Sequence, residues 1–447
     1  MNKKLYSNTM SLNKDNLKLE HNIKSLDTII HPLVYLYILS IPFQSLTLRS
    51  TIFYISPSEI IFFFLSPLAI IKIIISGKKL WINKLDLAIM GWLLANIIAG
   101  WHAGFDASVI TEIIKKVHLV LLYFLLKLTI DYQVISKINL MLVHSALVAS
   151  LLGIAGRILS YVSIDTSLVR NISHPYFNQI VQAQGFTPSP NMLASILMLG
   201  ILIIFPLIKE RTRRTPKDIT IFCVLVLGFL LTISKSIFCL FIGLISVWYL
   251  QLRKPTNRQK RLIFTIAFAG ITFLYFFGTH FMLIDKEKNL NQLKIEYSAG
   301  PPIAETKSFY LVPSQYFKLK KISLKASKQS FPWGLGPGKF NQFAHDYNIN
   351  SKYPLHVSFP DPHSTYLGTL SELGLFGLLV LGGLIITVMN CCMKIMRHKG
   401  SYHSIGFVGI IACFIAISVE AISTDIMNFR HYWVILALAS MLVRNSE

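Results

Sequence analysis

The sequence is short of charge. Only 14% of its 447 residues are Asp, Glu, Lys or Arg, against about 25% in soluble globular proteins, which excludes an ordinary water-soluble enzyme. Acids are the scarcer sign, with 21 Asp and Glu against 43 Lys and Arg and a formal net charge of +22. Cysteine is sparse too. Cys223, Cys239, Cys391, Cys392 and Cys413 all lie in or beside apolar runs, so they read as small buried hydrophobes rather than disulfides or metal ligands. The chain has no Asp-x-Asp or other metal or nucleotide-sugar motif, and no cofactor and no metal is expected. There is no repeat of about 20–50 residues, and the two halves share no evident duplicated pattern, which weighs against the common transporter folds.

Apolar residues are what the sequence has in abundance: 53% are hydrophobic, 30 are Phe, and the mean hydropathy is +0.55. Crossing the hydrocarbon of a bilayer takes about 20 apolar residues. Such runs occur near 29–48, 55–76, 85–101, 109–130, 138–160, 190–208, 218–233, 236–252, 262–282, 364–391, 404–421 and 429–443. The fold class is therefore an all-α polytopic membrane protein of about twelve transmembrane helices. Its organisation is a polar tail at 1–28, spans one to nine at 29–282, a large polar segment at 283–362 and spans ten to twelve at 363–447. The tail lacks a small-residue cleavage site, so the first run reads as a retained span.

The positive charge sits in short connections between runs, where it orients a membrane protein and does not mark a nucleic-acid partner. One set of alternate connections carries 25 Lys and Arg. The short connections of the other set carry only Arg49, Arg157, Arg170, Lys235 and Arg430. The asymmetry predicts cytoplasmic termini, with 161–189, 283–362 and the 421–430 turn on the outer face. Segment 283–362 has eleven Lys, no Arg and six acids. Within it, SQYFKLKKISLKASKQS (314–330) predicts a Lys-rich helix with Phe317, Leu319, Ile322 and Ala326 on one face. A plain solvated loop is the alternative. WGLGPGKF (333–340) then predicts a fixed non-helical bend.

The stretch FPDPHSTYLGTLSELGLFGLL (359–379) is the most informative. Prolines on either side of Asp361 stop any helix ahead of His363, and a span begins at once, with Ser364 placed to cap it. His363 therefore sits at the outer boundary of the membrane, where a His near neutrality can accept a proton from a hydroxyl. From position alone an interfacial His without a role is the favoured reading. Glu372, nine residues on, falls deeper and on another face, as a buried functional acid or a structural partner for a neighbouring span. Arg430, His431 and Trp433 open the last span and read as an interfacial anchor. Glu59, Lys115, Lys116 and His118 read as packing or snorkelling groups. Asn191, after Pro190, reads as the N-cap of span six.

A motif reverses the balance for His363. His363-Ser364, nine residues, Gly374, two residues and Gly377 resembles the signature of the O-antigen ligase superfamily, bacterial membrane proteins that include O-antigen ligases, some O-antigen polymerases and O-oligosaccharyltransferases. QGFTPSPNMLASILML (184–199), TISKSIFCLFIGL (232–244) and FPWGLGPGKF (331–340) resemble three further elements of it. The likeness runs from about residue 182 to the C-terminus. The chain departs from the family in carrying Lys235 where an Arg is usual, and Gln182 and Gln184 near another usual Arg. Lysine still neutralises a phosphate, as a point charge without Arg's bidentate fork.

The resemblance implies a membrane glycosyltransferase that moves a glycan from an undecaprenyl-diphosphate carrier to an acceptor hydroxyl at the periplasmic face of the bacterial inner membrane. It implies His363 as catalytic base and Lys235, Arg430, Arg170 and Gln184 as diphosphate-binding candidates. Ser364, Gly374, Gly377 and Asn191 are its structural motif residues. Implied partners are the lipid-linked donor, a lipid A-core or glycan acceptor and membrane lipids. The alternatives are an O-antigen or exopolysaccharide polymerase of the same superfamily and a lipid-linked glycan flippase or transporter. The residue eleven after Arg170 is Val181, where polymerases often have Gly, and segment 283–362 has no Arg; both favour ligase.

Overall fold

A computed structural model describes residues 23–49, 54–77, 81–174, 178–210, 215–251, 258–286, 301–349, 361–397 and 404–444. Most of the polar N-terminal tail and parts of the large polar segment, including Pro360, lie outside the described residues.

Helix follows every apolar run. The first nine helices are α1 (Ile23–Phe43), α2 (Pro57–Ser76), α3 (Lys84–His102), α4 (Ala107–Thr129), α5 (Ile135–Tyr161), α6 (Pro190–Glu210), α7 (Pro216–Leu231), α8 (Ile237–Gln251) and α9 (Arg258–His280). Two further helices, α10 (Gln315–Gln329) and α11 (Phe340–Ile349), lie in the polar segment. They are followed by α12 (Thr365–Arg397), α13 (Ser404–Glu420) and α14 (Arg430–Arg444). Seven of these are long and apolar enough to cross a membrane: α1, α2, α3, α5, α6, α9 and α12. Ile237–Gln251 and Phe407–Glu420 are apolar but shorter. Large apolar side chains such as Phe63, Ile74, Trp101 and Phe273 stand exposed around the bundle, the pattern of a lipid-facing surface.

Local sequence explains the helix starts. Asn83 and Asp86 form a reciprocal capping box at α3, and Asp106 accepts from the Val109 N–H at 3.0 Å to cap α4; each satisfies amides the first turn leaves free. Ser189, not Asn191, caps α6: its hydroxyl accepts from the Met192 N–H at 3.2 Å. Asn191 is already inside the first turn, because Pro190 occupies the first helical position, and its side chain is free for other work. α6, α13 and α14 form the centre of the core, and α6 packs on α5, α7 and α13. Four of the five cysteines are buried as expected, whereas Cys223 lies on an exposed face of α7.

Connections between the helices contain short antiparallel pairings. β1 (Leu48–Arg49) pairs with β2 (Tyr54–Ile55), and β3 (Val169–His174) with β4 (Asn178–Ala183). β5 (Phe281–Asp285), β6 (Ala304–Glu305) and β7 (Phe309–Pro313) form a sheet with β7 central. The Lys-rich helix forms as α10, with Leu319, Ile322 and Ala326 buried. Its buried face packs on α11 through Phe340 and Ala344, so it joins a small covering layer over α12 rather than lying free.

Candidate functional site

The site begins where α12 begins. Ser364 caps the helix: its hydroxyl accepts from the Leu367 N–H at 3.4 Å and its carbonyl from the Gly368 N–H at 2.8 Å. The Thr365 N–H donates to the Ala421 carbonyl at 2.9 Å and its hydroxyl to the Thr424 carbonyl at 2.9 Å, so the helix start is tied to the turn after α13. His363 takes a left-handed conformation at φ 43, an uncommon state in which His is enriched among non-glycine residues. Its backbone N–H donates to Asp361 Oδ1 at 2.6 Å, and its ring Nδ1 lies 3.0 Å from the same oxygen. A ring that donates from Nδ1 to a carboxylate leaves Nε2 as the acceptor. Burial pushes the His363 pKa below its ordinary value, against the opposing pull of Asp361. The imidazole is thus neutral and oriented at pH 7.

Four other segments bring groups to this ring or beside it. The Tyr316 ring, on α10, lies 4.7 Å from that of His363, and Lys235 Nζ stands 5.9 Å from the centre of the Tyr316 ring. The Tyr316 side chain hydrogen-bonds Asn191, and the Ser234 hydroxyl donates to Asn191 Oδ1 at 2.9 Å. The α7–α8 turn carrying Lys235, the start of α6 and the Lys-rich helix are therefore locked together around His363. Arg170 on β3 is close enough that its charge acts on both His363 and Tyr316. Arg170 and Lys235 form no ion pair among the described residues.

Lys320 completes the cluster and was not picked out from sequence. It lies one turn after Tyr316, on the same face of α10, and only 8% of it is exposed. Its ammonium hydrogen-bonds His280 Nε2, while His280 Nδ1 lies 2.6 Å from the Phe276 carbonyl. That second bond fixes Nε2 as an acceptor, so Lys320 is the donor. Burial pushes the Lys320 pKa down to about 7, and its charge is felt at His363. A buried ammonium with a neutral partner costs free energy unless an anion joins it. The spacing Tyr-x-x-x-Lys on a helix was the available signal, but eleven similar lysines in 283–362 hid it.

Two expected members are elsewhere. Gln184 turns back on its own loop, its amide donating to the Thr187 carbonyl at 2.9 Å. Arg430 points to the first turn of α2, where its guanidinium meets Glu59 Oε1 at 2.5 Å. Both groups lie at helix starts, and the pair joins α14 to α2. His431, next along, is buried and its Nε2 lies 3.0 Å from Ser195 Oγ.

The glycines of the His motif have a backbone role. α12 is interrupted at Gly374, which has φ 67 and ψ −162, a region open essentially to glycine alone. The bend after α10 fills the break. The Leu335 N–H donates to the Ser371 carbonyl at 2.8 Å, that of Gly336 to Glu372 at 2.9 Å, and that of Leu375 to Pro332 at 2.9 Å. The bend thus replaces helical hydrogen bonds that the break removes. A Cβ on Gly374 would lie 1.9 Å from the Pro332 oxygen, and one on Gly334 would lie 2.4 Å from the Glu372 oxygen. Two glycine-bearing segments some forty positions apart are halves of one joint. Glu372 is part of it: Oε1 accepts from the Phe340 N–H at 3.3 Å, at the start of α11. Gly377 has no positive φ, but it lies just past the break, and a Cβ there would come 2.3 Å from the Leu373 Cβ on the other side of it.

Residues 219–382 match the sequence model of the family described as O-antigen ligase. That span includes Lys235, Tyr316, Lys320, His363, Gly374 and Gly377, while Arg170 and Asn191 fall before it. No curated protein matches the chain.

Proposed function

We propose, with the chain's membership of the O-antigen ligase superfamily as premise, that the protein is a membrane glycosyltransferase of the ligase kind. It moves a glycan from an undecaprenyl-diphosphate carrier to an acceptor hydroxyl, at the outer face of the bacterial inner membrane and with both its termini in the cytoplasm. The observation that carries this reading is the meeting of one oriented neutral imidazole, His363, with Arg170, Lys235 and Lys320, which among the described residues have no carboxylate but Asp361 close to them.

The chemistry follows from these positions. The acceptor hydroxyl gives its proton to His363 Nε2 as its oxygen attacks the anomeric carbon. The bond from that carbon to the diphosphate oxygen breaks, and the electron pair leaves with the lipid diphosphate. Asp361 stabilises the imidazolium formed. Arg170, Lys235 and Lys320 stabilise the departing charge, the kind of preorganised electrostatics that commonly dominates catalysis. Lys235 and Lys320 act as point charges.

The pH dependence has two limbs. Protonation of His363 removes the base, so the rate falls as pH drops below the ordinary His range. Lys320, with its pKa near about 7, loses its charge as pH rises through that value, so donor binding weakens on the alkaline side. Lys320→Arg, whose guanidinium stays charged, is expected to remove the alkaline limb and leave the acid limb in place, measured as transfer rate against pH at subsaturating donor. An unchanged alkaline limb in that variant would take Lys320 out of the diphosphate site.

The function is tested by the surface-glycan profile of a strain lacking the protein, run beside its carrier-lipid pool. Bare core with long polymer accumulating on the carrier is the expected result. Core capped by single repeats would make the protein a polymerase. If neither pool changes, the transferase reading fails.

A further inference from the structure

Beside the 361–364 segment lies a cavity of about 360 Å³, lined by α3, α4, α11, the start of α12 and the turn after α13. Its volume is at the lower end of the about 300–1,000 Å³ of small-molecule sites. Asp361 belongs to both places: its carboxylate holds the His363 ring and also lines the cavity. The lining is unlike that of a lipid-tail tunnel. Carboxylates come from Glu112, Asp361, Glu372 and Asp425, carboxamides from Asn96, Asn341 and Asn428, and hydroxyls from Ser364 and Thr369, with Trp92 as the aromatic wall. The single cation, Lys116, is held by the Asn428 carboxamide oxygen. Roof and floor are rigid, because the bend after α10 is fixed to the break in α12, and Lys339 beside it pairs with Asp106 at the start of α4.

We propose that this cavity is a sugar subsite that seats the non-phosphorylated, hydroxyl-rich end of the acceptor glycan. The proposal rests on the transferase reading for the word acceptor, and on the cavity alone for the word sugar. Carboxylates and carboxamides accept and donate in pairs, as vicinal hydroxyls require, and an aromatic wall suits the apolar face of a sugar ring. Sign separates the two substrates. A diphosphate finds one cation in the cavity lining, Lys116, against three at Arg170, Lys235 and Lys320. Asp361 then joins the two places, so that a sugar seated in the cavity lies beside the segment that carries the base.

The test uses the full-length protein in phospholipid vesicles, with no donor present. The probe is a glycolipid ending in a neutral hexose, compared with the same glycolipid phosphorylated on that hexose. The neutral form is expected to bind, and the phosphorylated form to bind about tenfold or more weakly. Thr369→Leu, which fills the cavity, and Asn341→Ala, which removes a polar group from its rim, are each expected to weaken neutral binding by about tenfold, the scale of one lost hydrogen bond. Lys235→Ala is expected to leave it unchanged. Equal binding of the two glycolipids, or wild-type binding by both cavity variants, overturns the proposal. Binding of an undecaprenyl-diphosphate-linked glycan serves as the control on folding and on the other reading. If the donor binds and the neutral glycolipid does not, the sugar subsite is wrong and the transferase reading survives. If the neutral glycolipid binds but is not glycosylated once the undecaprenyl-diphosphate-linked glycan is added, the transferase reading fails and the sugar site stands.

Discussion

His363→Ala is expected to lower transfer by about 10²–10⁴-fold, or about 3–5 kcal/mol in the barrier, the range for loss of a positioned general base. The fold should tolerate the change. The side chain is 28% exposed at a helix start, and the contacts that tie the segment down belong to Ser364 and Thr365. The φ of 43 strains Ala as it strains His, so His363→Gly is a useful companion, because glycine carries no such strain. Both variants should reach the membrane at wild-type level and bind donor with wild-type affinity, while transfer measured in vesicles is lost. Full activity in either variant would end the general-base assignment. Lost donor binding would move His363 from the base role into the diphosphate site.

The second large effect is structural. Gly374→Ala should disassemble the joint between the bend and α12 in a way that no surface repacking relieves. The left-handed backbone alone costs a residue with a Cβ about 1–3 kcal/mol, and the added carbon would lie 1.9 Å from the Pro332 oxygen, with Trp333 backbone 2.5 Å away. Backbone cannot yield as a flexible side chain does, so either the bend lifts or α12 straightens. In both cases the hydrogen bonds from Leu335, Gly336 and Leu375 are lost together, and with them the seat of α10, which carries Tyr316 and Lys320. The expected result is low expression or a lowered thermal unfolding midpoint, with transfer lost. Gly382→Ala makes the contrast, since Gly382 sits further along α12 without a left-handed φ and an added Cβ there would meet nothing within 4 Å. Comparable damage from both substitutions would mean that the break is not what the motif protects.

Gly374 shows how far sequence reading reaches. Helix positions were legible throughout, because spans are dictated by apolar run length and every predicted run falls on helix. Ser364 as a cap and the Lys-rich helix at 314–330 were legible for the same reason, being governed by groups a few residues apart. The motif marked Gly374 and Gly377 alike, but only the meeting of two distant segments shows that Gly374 closes a joint with the backbone of Pro332 and Trp333. Arg430 illustrates the limit most plainly. The resemblance implied a diphosphate contact for it, yet it pairs with Glu59, 371 positions earlier. Span ends with the same address along the membrane normal are many, and the order in which helices pack decides which of them touch.

What the sequence determined by itself was therefore one-dimensional. A scarcity of charge, twelve apolar runs, the Lys and Arg asymmetry and a His-bearing motif defined a membrane protein, its proposed orientation and its candidate base. Tertiary structure decided what surrounds that base. Packing brought Lys320 out of a field of similar lysines to His363 and sent Gln184 and Arg430 to other partners. It also opened an acidic cavity beside the 361–364 segment. The physical reason is that a span is stabilised by what each residue has locally, bilayer and backbone, whereas a site is set by long-range contacts between side chains that hydropathy cannot order.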